Sequence, residues 1–397
     1  MTNDSAPPGI AAETASRVAI IGGGQLGFLL CKAARKLGIR TLIVTPDAAA
    51  PALTAADDSI ICPYDSPQLA ERLASSVDVV TFEFEAVPDV LLLGLEEEMP
   101  KGSIAVRPDP AVLRLVKNKA RQKAWLRDQR IPTAAFQEIS EREARNKDFV
   151  ATASFPLVQK TQEGGYDGLG VQIIHDAAKL DQLWPVPSII ETYLSGAREL
   201  AVVVARSVSG EVEIYPAVEM VVDQGLNLLD VVIAPAELPD SVHEGARSLA
   251  RSVIERLECV GVLAVELFLT SDGELLVNEI SPRVHNSGHH TLESCAVSQF
   301  EQHIRAVTGM SLAKAEQSLP SVMKNIIYDD SLSPLVGLSP GRLSTENESV
   351  RFHWYGKQEA RPGRKMGHIT CVGADGVSGR RMILETLENV ISFHGDG

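Results

Sequence analysis

Two glutamates, Glu266 and Glu279, have the residue type and spacing to bind a metal. They sit in Ala264-Val-Glu-Leu-Phe-Leu-Thr-Ser-Asp-Gly-Glu-Leu-Leu-Val-Asn-Glu-Ile280, two strand-like runs about Asp272-Gly273. A two-residue turn there sets Ser271 against Glu274, and counting outward sets Glu266 against Glu279. Both faces of the pair are mostly apolar, with Ala264, Phe268, Leu275 and Val277 beside the glutamates. The carboxylates are therefore expected to be buried within a sheet, about 5 Å apart. Like charges so placed repel unless a proton or a divalent cation neutralises them. Magnesium fits, since it takes one or two carboxylates together with substrate phosphates. The competing reading is two glutamates on exposed strands.

The following run, Ser281-Pro-Arg-Val-His-Asn-Ser-Gly-His289, carries Arg283, His285, Asn286 and His289 in one loop, a density of donors that suits an anion pocket. Upstream, Lys160-Thr-Gln-Glu-Gly-Gly-Tyr-Asp-Gly-Leu-Gly170 sets a lysine before four glycines, whose freed backbone can wrap phosphate oxygens. It is not a P-loop, in which the lysine follows the glycines. A flexible surface hairpin is the alternative. Gly22-Gly-Gly-Gln-Leu-Gly27 satisfies G-x-G-x-x-G between a strand and a helix. The ribose-binding acid of a dinucleotide site is missing, because Thr45-Pro46 follows the second strand. The turn is expected to bind the phosphate or sugar of another substrate, with Gln25 supplying an amide, or to be only a tight junction. Later, Lys357, Arg361, Arg364 and Lys365 are candidate phosphate ligands, with a solvated basic turn as the alternative.

These groups need elements to hold them. Residues 18–21, 41–44, 59–62 and 77–80 read as strands separated by helical stretches at 25–37 and 68–75, so a doubly wound parallel sheet is expected. Residues 111–129 read as helical, and a small α+β unit with a mobile loop follows. From residue 188 the pattern turns to β, with helices near 241–257 and 294–308. At 397 residues and 45% hydrophobic content the chain exceeds what one core organises, so two to four domains are expected. A net charge of −15 argues against nucleic acid or an anionic membrane as partner. Five scattered cysteines without a Cys-x-x-Cys pair point to a reducing cytoplasm. Residues 1–16 read as a disordered tail, and no run of about 18 apolar residues occurs.

Taken in order, residues 22–27, Gly164-Gly-Tyr-Asp-Gly168, residues 278–289, Ser298-Gln-Phe-Glu301 and residues 361–368 resemble the ATP-grasp superfamily. Within it the chain is similar to the 5-(carboxyamino)imidazole ribonucleotide synthetase family, over essentially its whole length after residue 16. The resemblance implies an α/β and α+β multidomain chain with the ATP-grasp fold. Its parts would be a tail (1–16), an N-terminal Rossmann-like (pre-ATP-grasp) parallel-sheet domain (17–110), a lid subdomain (111–187), a catalytic subdomain (188–310) and a small C-terminal β-rich domain (311–397). It implies a ligase that forms a C–N bond, using ATP and Mg2+ to carboxylate 5-aminoimidazole ribonucleotide with bicarbonate in purine synthesis, as a cytoplasmic homodimer.

On that resemblance Lys119, Lys160 and the loop Gly165, Tyr166, Asp167, Gly168, Leu169, Gly170 and Val171 contact the ATP phosphates. Glu191, Thr192, Tyr193 and Leu194 line the adenine, Glu199 holds the ribose, and Asn278 joins Glu279 at the nucleotide. Glu266 and Glu279 ligate magnesium, while Arg283, His285 and Asn286 orient bicarbonate and its phosphorylated product. Tyr166 and Asp167 lie near the accepting amine. The imidazole ribonucleotide lies among Gly24, Gln25, Leu26, Glu83 and His289, its phosphate on Lys357, Arg364 and Lys365. Lys119, Leu169, Ala86 and Val222 depart from the family, which commonly has arginine, a cationic lid residue, asparagine and histidine there. A diverged ligase for another amine or carboxylate, or a nucleotide-binding paralogue without turnover, stays open.

Overall fold

The computed structural model describes residues 15–147, 149, 154–165, 169–223, 225–343, 345 and 347–395. Tyr166, Asp167, Gly168 and nearly all of the expected tail lie outside the described residues. Ala15 and Ser16, counted with that tail, are tied down, the first to the Thr308 carbonyl and the second to the Asp78 carboxylate.

The opening apolar run forms β1 (Arg17–Ile21), followed by α1 (Gln25–Lys36) and β2 (Arg40–Thr45). Then come β3 (Asp58–Ile61), α2 (Leu69–Ala74), β4 (Val79–Phe82), α3 (Asp89–Glu98) and β5 (Ala105–Val106). The five strands are parallel in the order β3-β2-β1-β4-β5. Order reverses between β1 and β4, and the crevice outside the carboxyl ends of such strands is where open parallel sheets place ligands. The Gly-rich turn leaves β1 there, and Glu83 leaves β4 there.

The helical stretch that follows is two helices, α4 (Pro110–Val116) and α5 (Lys119–Asp128). Asn118 separates them because its side chain caps α5, accepting from the Arg121 amide. Next are β6 (Phe136–Ile139), α6 (Glu141–Asn146), β7 (Leu157–Thr161), β8 (Val171–Ile174) and β9 (Ser188–Thr192), whose strands make an antiparallel sheet ordered β6-β9-β7-β8. The expected division at 187/188 therefore falls inside this sheet. β9 pairs with β6 and β7, and the amide of Gln159 on β7 donates to the Ser188 hydroxyl.

The rest comprises β10 (Arg198–Arg206), β11 (Val212–Ile214), β12 (Val218–Asp223), β13 (Leu228–Ala234), α7 (Asp240–Arg256), β14 (Gly261–Leu269) and β15 (Leu275–Ser281). After these come α8 (Thr291–Ser294), α9 (Gln299–Thr308), β16 (Ser321–Ile327), β17 (Gly341–Leu343), β18 (Val350–Trp354), β19 (Lys365–Val372) and α10 (Gly376–Gly395). All these strands join one sheet, β15-β14-β10-β12-β13-β16-β19-β18-β17, with β11 on β10. The C-terminal β-rich part adds its strands to the same sheet, β16 pairing with β13. The sequence reading missed α10, whose Ile383 and Val390 pack into the core of those added strands.

One core spans the first sheet and the large one. Phe28 and Leu30 of α1 share it with Phe300, Ile304 and Val307 of α9, and fully burying each such side chain contributes about 1.5–3 kcal/mol. Thr81 on β4 reaches across to His303 at 2.7 Å. The crevice at β1 and β4 is held against the end of the large sheet by this shared packing.

Candidate active site

Glu266 and Glu279 do face each other, but not through the expected turn. The loop is longer by one residue: Leu269 pairs with Leu275, and the Thr270 amide donates to the Glu274 carbonyl at 2.9 Å. Gly273 takes φ 85° in that loop. A bulge between Glu266 and Leu267 then makes up the offset, leaving Asn278 as the extra residue on β15. Two departures from the simple hairpin cancel, and the glutamates meet. Across the sheet Phe268 faces Leu276, so Leu276 rather than Leu275 or Val277 shares the glutamates' face; Val277 turns into the core.

β15 is an edge strand, and the carboxylates are not sealed within the sheet: the side chains of Glu266 and Glu279 are 22% and 32% exposed. The edge is covered by α5 and the chain after it. Gln122 donates to the Ile280 carbonyl and accepts from its amide, while the Val277 amide donates to Pro132. That pairing occupies backbone groups which an edge strand otherwise leaves open.

Each carboxylate has its own nitrogen partner. Nζ of Lys119 lies 2.5 Å from Glu279 Oε1, and Nε2 of His285 lies 3.2 Å from Glu266 Oε1. Burial alone would raise the Glu266 pKa, but the hydrogen bond and charge of His285, with Lys119 and Lys160, bring it below the usual carboxylate value. Glu199, on the same sheet face, is pushed up to about 7 by burial and by the charge of Glu266, with Lys160 opposing. The bulge brings Asn278 into the group: Nζ of Lys160 donates to its Oδ1 at 2.7 Å, and its Nδ2 lies 3.5 Å from Glu266. Two carboxylates and an amide oxygen form a donor set that fits magnesium.

A second cluster, Glu293, His353 and His368, brings three possible ligand atoms within 4.8 Å. Its two rings are stacked, 4.5 Å apart and 13° from parallel, so their in-plane lone pairs run alongside each other rather than converging on one ion. It is a buried hydrogen-bonded group: His353 bonds Glu293 at 2.7 Å, and the Tyr355 hydroxyl bonds His368 at 2.8 Å.

In the Gly-rich loop, a Cβ at Gly165 would lie 2.5 Å from the Leu169 carbonyl, and one at Gly170 2.5 Å from the Thr161 hydroxyl. The loop folds back too tightly there for any other residue. Leu169 projects outward, 57% exposed, and Val171 opens β8. Lys160 is tied to Glu191 at 2.6 Å as well as to Asn278. The Glu191 carboxylate, expected at the adenine, instead bridges Lys160 and a lysine that sequence reasoning missed, Lys123, also at 2.6 Å. Burial would raise the Glu191 pKa, but the two lysines hold it down at about 2. Thr192 ends β9 and Tyr193 and Leu194 begin the link to β10; Thr192 and Tyr193 are exposed.

Arg283 is gripped by Glu85, with Nε 2.5 Å from Oε2 and Nη2 3.2 Å from Oε1. Burial works against the charged carboxylate, yet the Arg283 charge and hydrogen bonds bring Glu85 down to about 2. Gln299 clamps the His285 backbone from both sides, accepting from its amide and donating to its carbonyl. Asn286 exchanges amide hydrogen bonds with Asn325. His289 departs from its expected place beside a substrate: it is fully buried, its ring packed on Phe300 and His368.

The first Gly-rich turn already holds an anion. Glu83 accepts from the Gly24 and Gly27 amides at 2.6 Å each, filling the N-terminus of α1 with a carboxylate from the end of β4. Those two amides are therefore taken by the protein itself, and half-buried Gln25 and Leu26 stand beside them. Burial raises the Glu83 pKa; the two amides and the charges of Lys357 and Arg283 oppose it. Lys357 of the C-terminal basic run and Arg283 thus act on Glu83 through their charge. Within the run, Lys357 donates to the Lys365 carbonyl, Lys365 is itself buried, and Arg364 pairs with Glu359 at 2.9 Å.

Three family descriptions match successive parts of the chain: a ribonucleotide synthetase preATP-grasp domain over residues 15–117, an ATP-grasp domain over 124–300 and a phosphoribosylaminoimidazole carboxylase C-terminal domain over 321–381. The N5-carboxyaminoimidazole ribonucleotide synthase of Brucella melitensis is 37% identical over 366 residues, covering 90% of this chain and 96% of that one. The crystal structure of the synthetase from Thermotoga maritima matches with a TM-score of 0.80 at 35% identity, over 94% of this chain and 98% of that one. The Aspergillus clavatus synthase, solved in complex with ADP and 5-aminoimidazole ribonucleotide, matches with a TM-score of 0.80 at 30% identity, over 95% and 99%.

Proposed function

Since this chain belongs to the N5-carboxyaminoimidazole ribonucleotide synthase family, we propose that it uses ATP and bicarbonate to carboxylate the 5-amino group of 5-aminoimidazole ribonucleotide, releasing ADP and phosphate. The observation that carries the reading is the facing pair Glu266 and Glu279 with Asn278 in the bulge between them, with Lys119 on Glu279, Lys160 on Asn278 and His285 on Glu266.

Glu266, Glu279 and Oδ1 of Asn278 would hold magnesium, which supplies charge neutralisation on the ATP phosphates. Lys119 and Lys160, at the ends of their carboxylate bridges, bind those phosphates and orient the terminal one. Bicarbonate lies beside Arg283, His285 and Asn286; its oxygen attacks the γ-phosphorus, the bond to the β-phosphate oxygen breaks, and carboxyphosphate and ADP form. Positioning and charge carry such a transfer. The exocyclic amine then attacks the carboxyl carbon, phosphate leaves, and the amine gives up a proton. Tyr166 and Asp167 are assigned to that amine, and closure of the Gly-rich loop keeps water from the labile carboxyphosphate. The ribonucleotide lies between Glu83 at the first turn and Lys357 and Arg364 at the C-terminal run. Glu199 takes the ATP ribose.

We place the protein in a reducing cytoplasm as a homodimer. All five cysteines are free, and among the described residues no helix is long and apolar enough to cross a membrane. The test is ADP release measured with each substrate withheld in turn. It should require both bicarbonate and 5-aminoimidazole ribonucleotide; equal release without the ribonucleotide would overturn the reading.

A further inference from the structure

We propose that Lys123 is a positioning residue of the nucleotide site, a fixed cation that balances Glu191 and so leaves Lys160 available to the triphosphate. The inference rests on the nucleotide reading above.

Two lysines share one carboxylate here. Lys123 reaches Glu191 Oε1 and Lys160 reaches Oε2, both at 2.6 Å, and all three side chains are almost wholly buried. The two cations differ in their other partners. Nζ of Lys123 also donates to the Thr133 hydroxyl at 2.7 Å and lies 3.4 Å from the Val277 carbonyl, both fixed parts of the strand edge. Lys160 donates to Asn278, the bulge residue beside Glu266. Lys119, Lys123, Lys160, Asn278 and Glu279 line one narrow crevice. Lys123 is thus anchored in the scaffold, while Lys160 faces the groups assigned to the nucleotide.

Charge follows from that geometry. One carboxylate against two ammonium groups leaves a net positive charge in the crevice, which an incoming phosphate can meet. Without Lys123, the whole charge of Glu191 would fall on Lys160, and a phosphate would have to compete with a private ion pair in a site of low polarity. Burial also lowers the Lys123 pKa to about 8, with Glu191 opposing, so its charge in the fold depends on that carboxylate. The pair acts as one unit, and the role is mediated: Lys123 need not touch the nucleotide.

The test is a double-mutant comparison in the ADP-release assay, with bicarbonate and ribonucleotide saturating. Lys123→Met should raise the ATP KM roughly tenfold, the effect of weakening one charge-assisted contact, with kcat within about threefold. Added to Glu191→Gln, the same change should leave the KM of that variant where it was, because Lys123 acts through the carboxylate. An unchanged KM in Lys123→Met, a fall in kcat with KM held, or an equal rise in both backgrounds overturns the assignment. Thermal melting reads whether Lys123→Met folds; if it does not, the double variant against Glu191→Gln decides, and a higher KM in the double variant rejects the role. An unaltered protein that does not bind Mg-ATP in calorimetry would overturn the nucleotide reading and this inference together; normal binding with an unaffected Lys123→Met overturns this one alone.

Discussion

Nζ of Lys119 stands 2.5 Å from Oε1 of Glu279, the carboxylate that faces Glu266 across β14 and β15. Nε2 of His285 lies 3.2 Å from Glu266, so each acid has a nitrogen partner of its own. Burial alone would lower the Lys119 pKa, but Glu279, Glu266 and Glu85 outweigh it and raise it. Glu279→Gln keeps the shape of the side chain and removes the charge. ADP release should fall about a hundredfold or more, the scale of losing one electrostatic group aimed at the reacting phosphate. Release at the unaltered rate would remove Glu279 from the metal assignment.

The Glu85–Arg283 pair joins the crevice after β4 to the loop after β15. The Glu85 carboxyl sits at about 2 against an ordinary 4.5, so its stabilisation is present above pH 4.5 and is lost as pH falls toward 2. Glu85→Gln should cost about 1.5–3 kcal/mol at neutral pH, the worth of hydrogen bonds to a charged group. The melting curves of the two proteins should converge as pH drops through that window. A constant gap from pH 7 to pH 2 would show that the carboxylate charge is not what Arg283 needs.

Gly22 and Gly38 both take positive φ, yet they should answer differently to alanine. A Cβ at Gly22 would lie 2.1 Å from Glu83, while nothing lies within 4 Å of one at Gly38. Gly38→Ala should cost about 1 kcal/mol of backbone strain. Gly22→Ala should cost more, since it must also dislodge Glu83 from the α1 amides. Urea denaturation of the pair measures the difference; equal losses would mean that the contact with Glu83 is unimportant.

The facing of Glu266 and Glu279 was legible because strand alternation and a glycine turn are local, and it survived a longer turn only because a bulge restored the register. The parallel sheet was legible for the same local reason. Lys123 was not, since a lysine on a charged helix reads as a solvated face; the clue was its spacing of four from Lys119, behind the Asn118 cap. Glu85 was hidden too, because Arg283 lies some 200 residues away in the chain; Glu83 was named from the resemblance, but not its bond to Gly24, 59 residues away. The burial of His289 was not legible, because its contacts with Phe300 and His368 depend on elements brought together only by folding.

Glu199 offers a pH prediction of opposite sign to Glu85. Its carboxyl is raised to about 7 by burial and by Glu266, so in the metal-free protein its ionisation costs stability as pH climbs from about 4.5 to 7. Glu199→Gln should melt at a higher temperature than the unaltered protein at pH 8, and at nearly the same temperature at pH 4.5. Identical melting at both pH values would mean that Glu199 ionises freely. The same variant should weaken ATP binding if its carboxylate holds the ribose, so stability and affinity should move in opposite directions.

Leu169 is the exposed apolar residue of the Gly-rich loop, between the tight contacts made by Gly165 and Gly170. Its 57% exposure means that a longer, charged side chain meets no packing constraint, so Leu169→Arg should leave the melting temperature unchanged. If the loop closes over the triphosphate, the added guanidinium reaches phosphate oxygens, and the ATP KM should drop about two- to fivefold at low salt, as expected of a partly solvated charge pair. Screening makes the gain ionic-strength dependent: it should shrink as salt is raised from about 0.01 to 0.15 M, where the Debye length falls from roughly 30 to 8 Å. A KM that does not move at low salt would mean that the loop tip points away from the nucleotide throughout turnover. A drop that salt does not touch would point to a buried contact, and so to a deeper closure than the exposure of Leu169 implies.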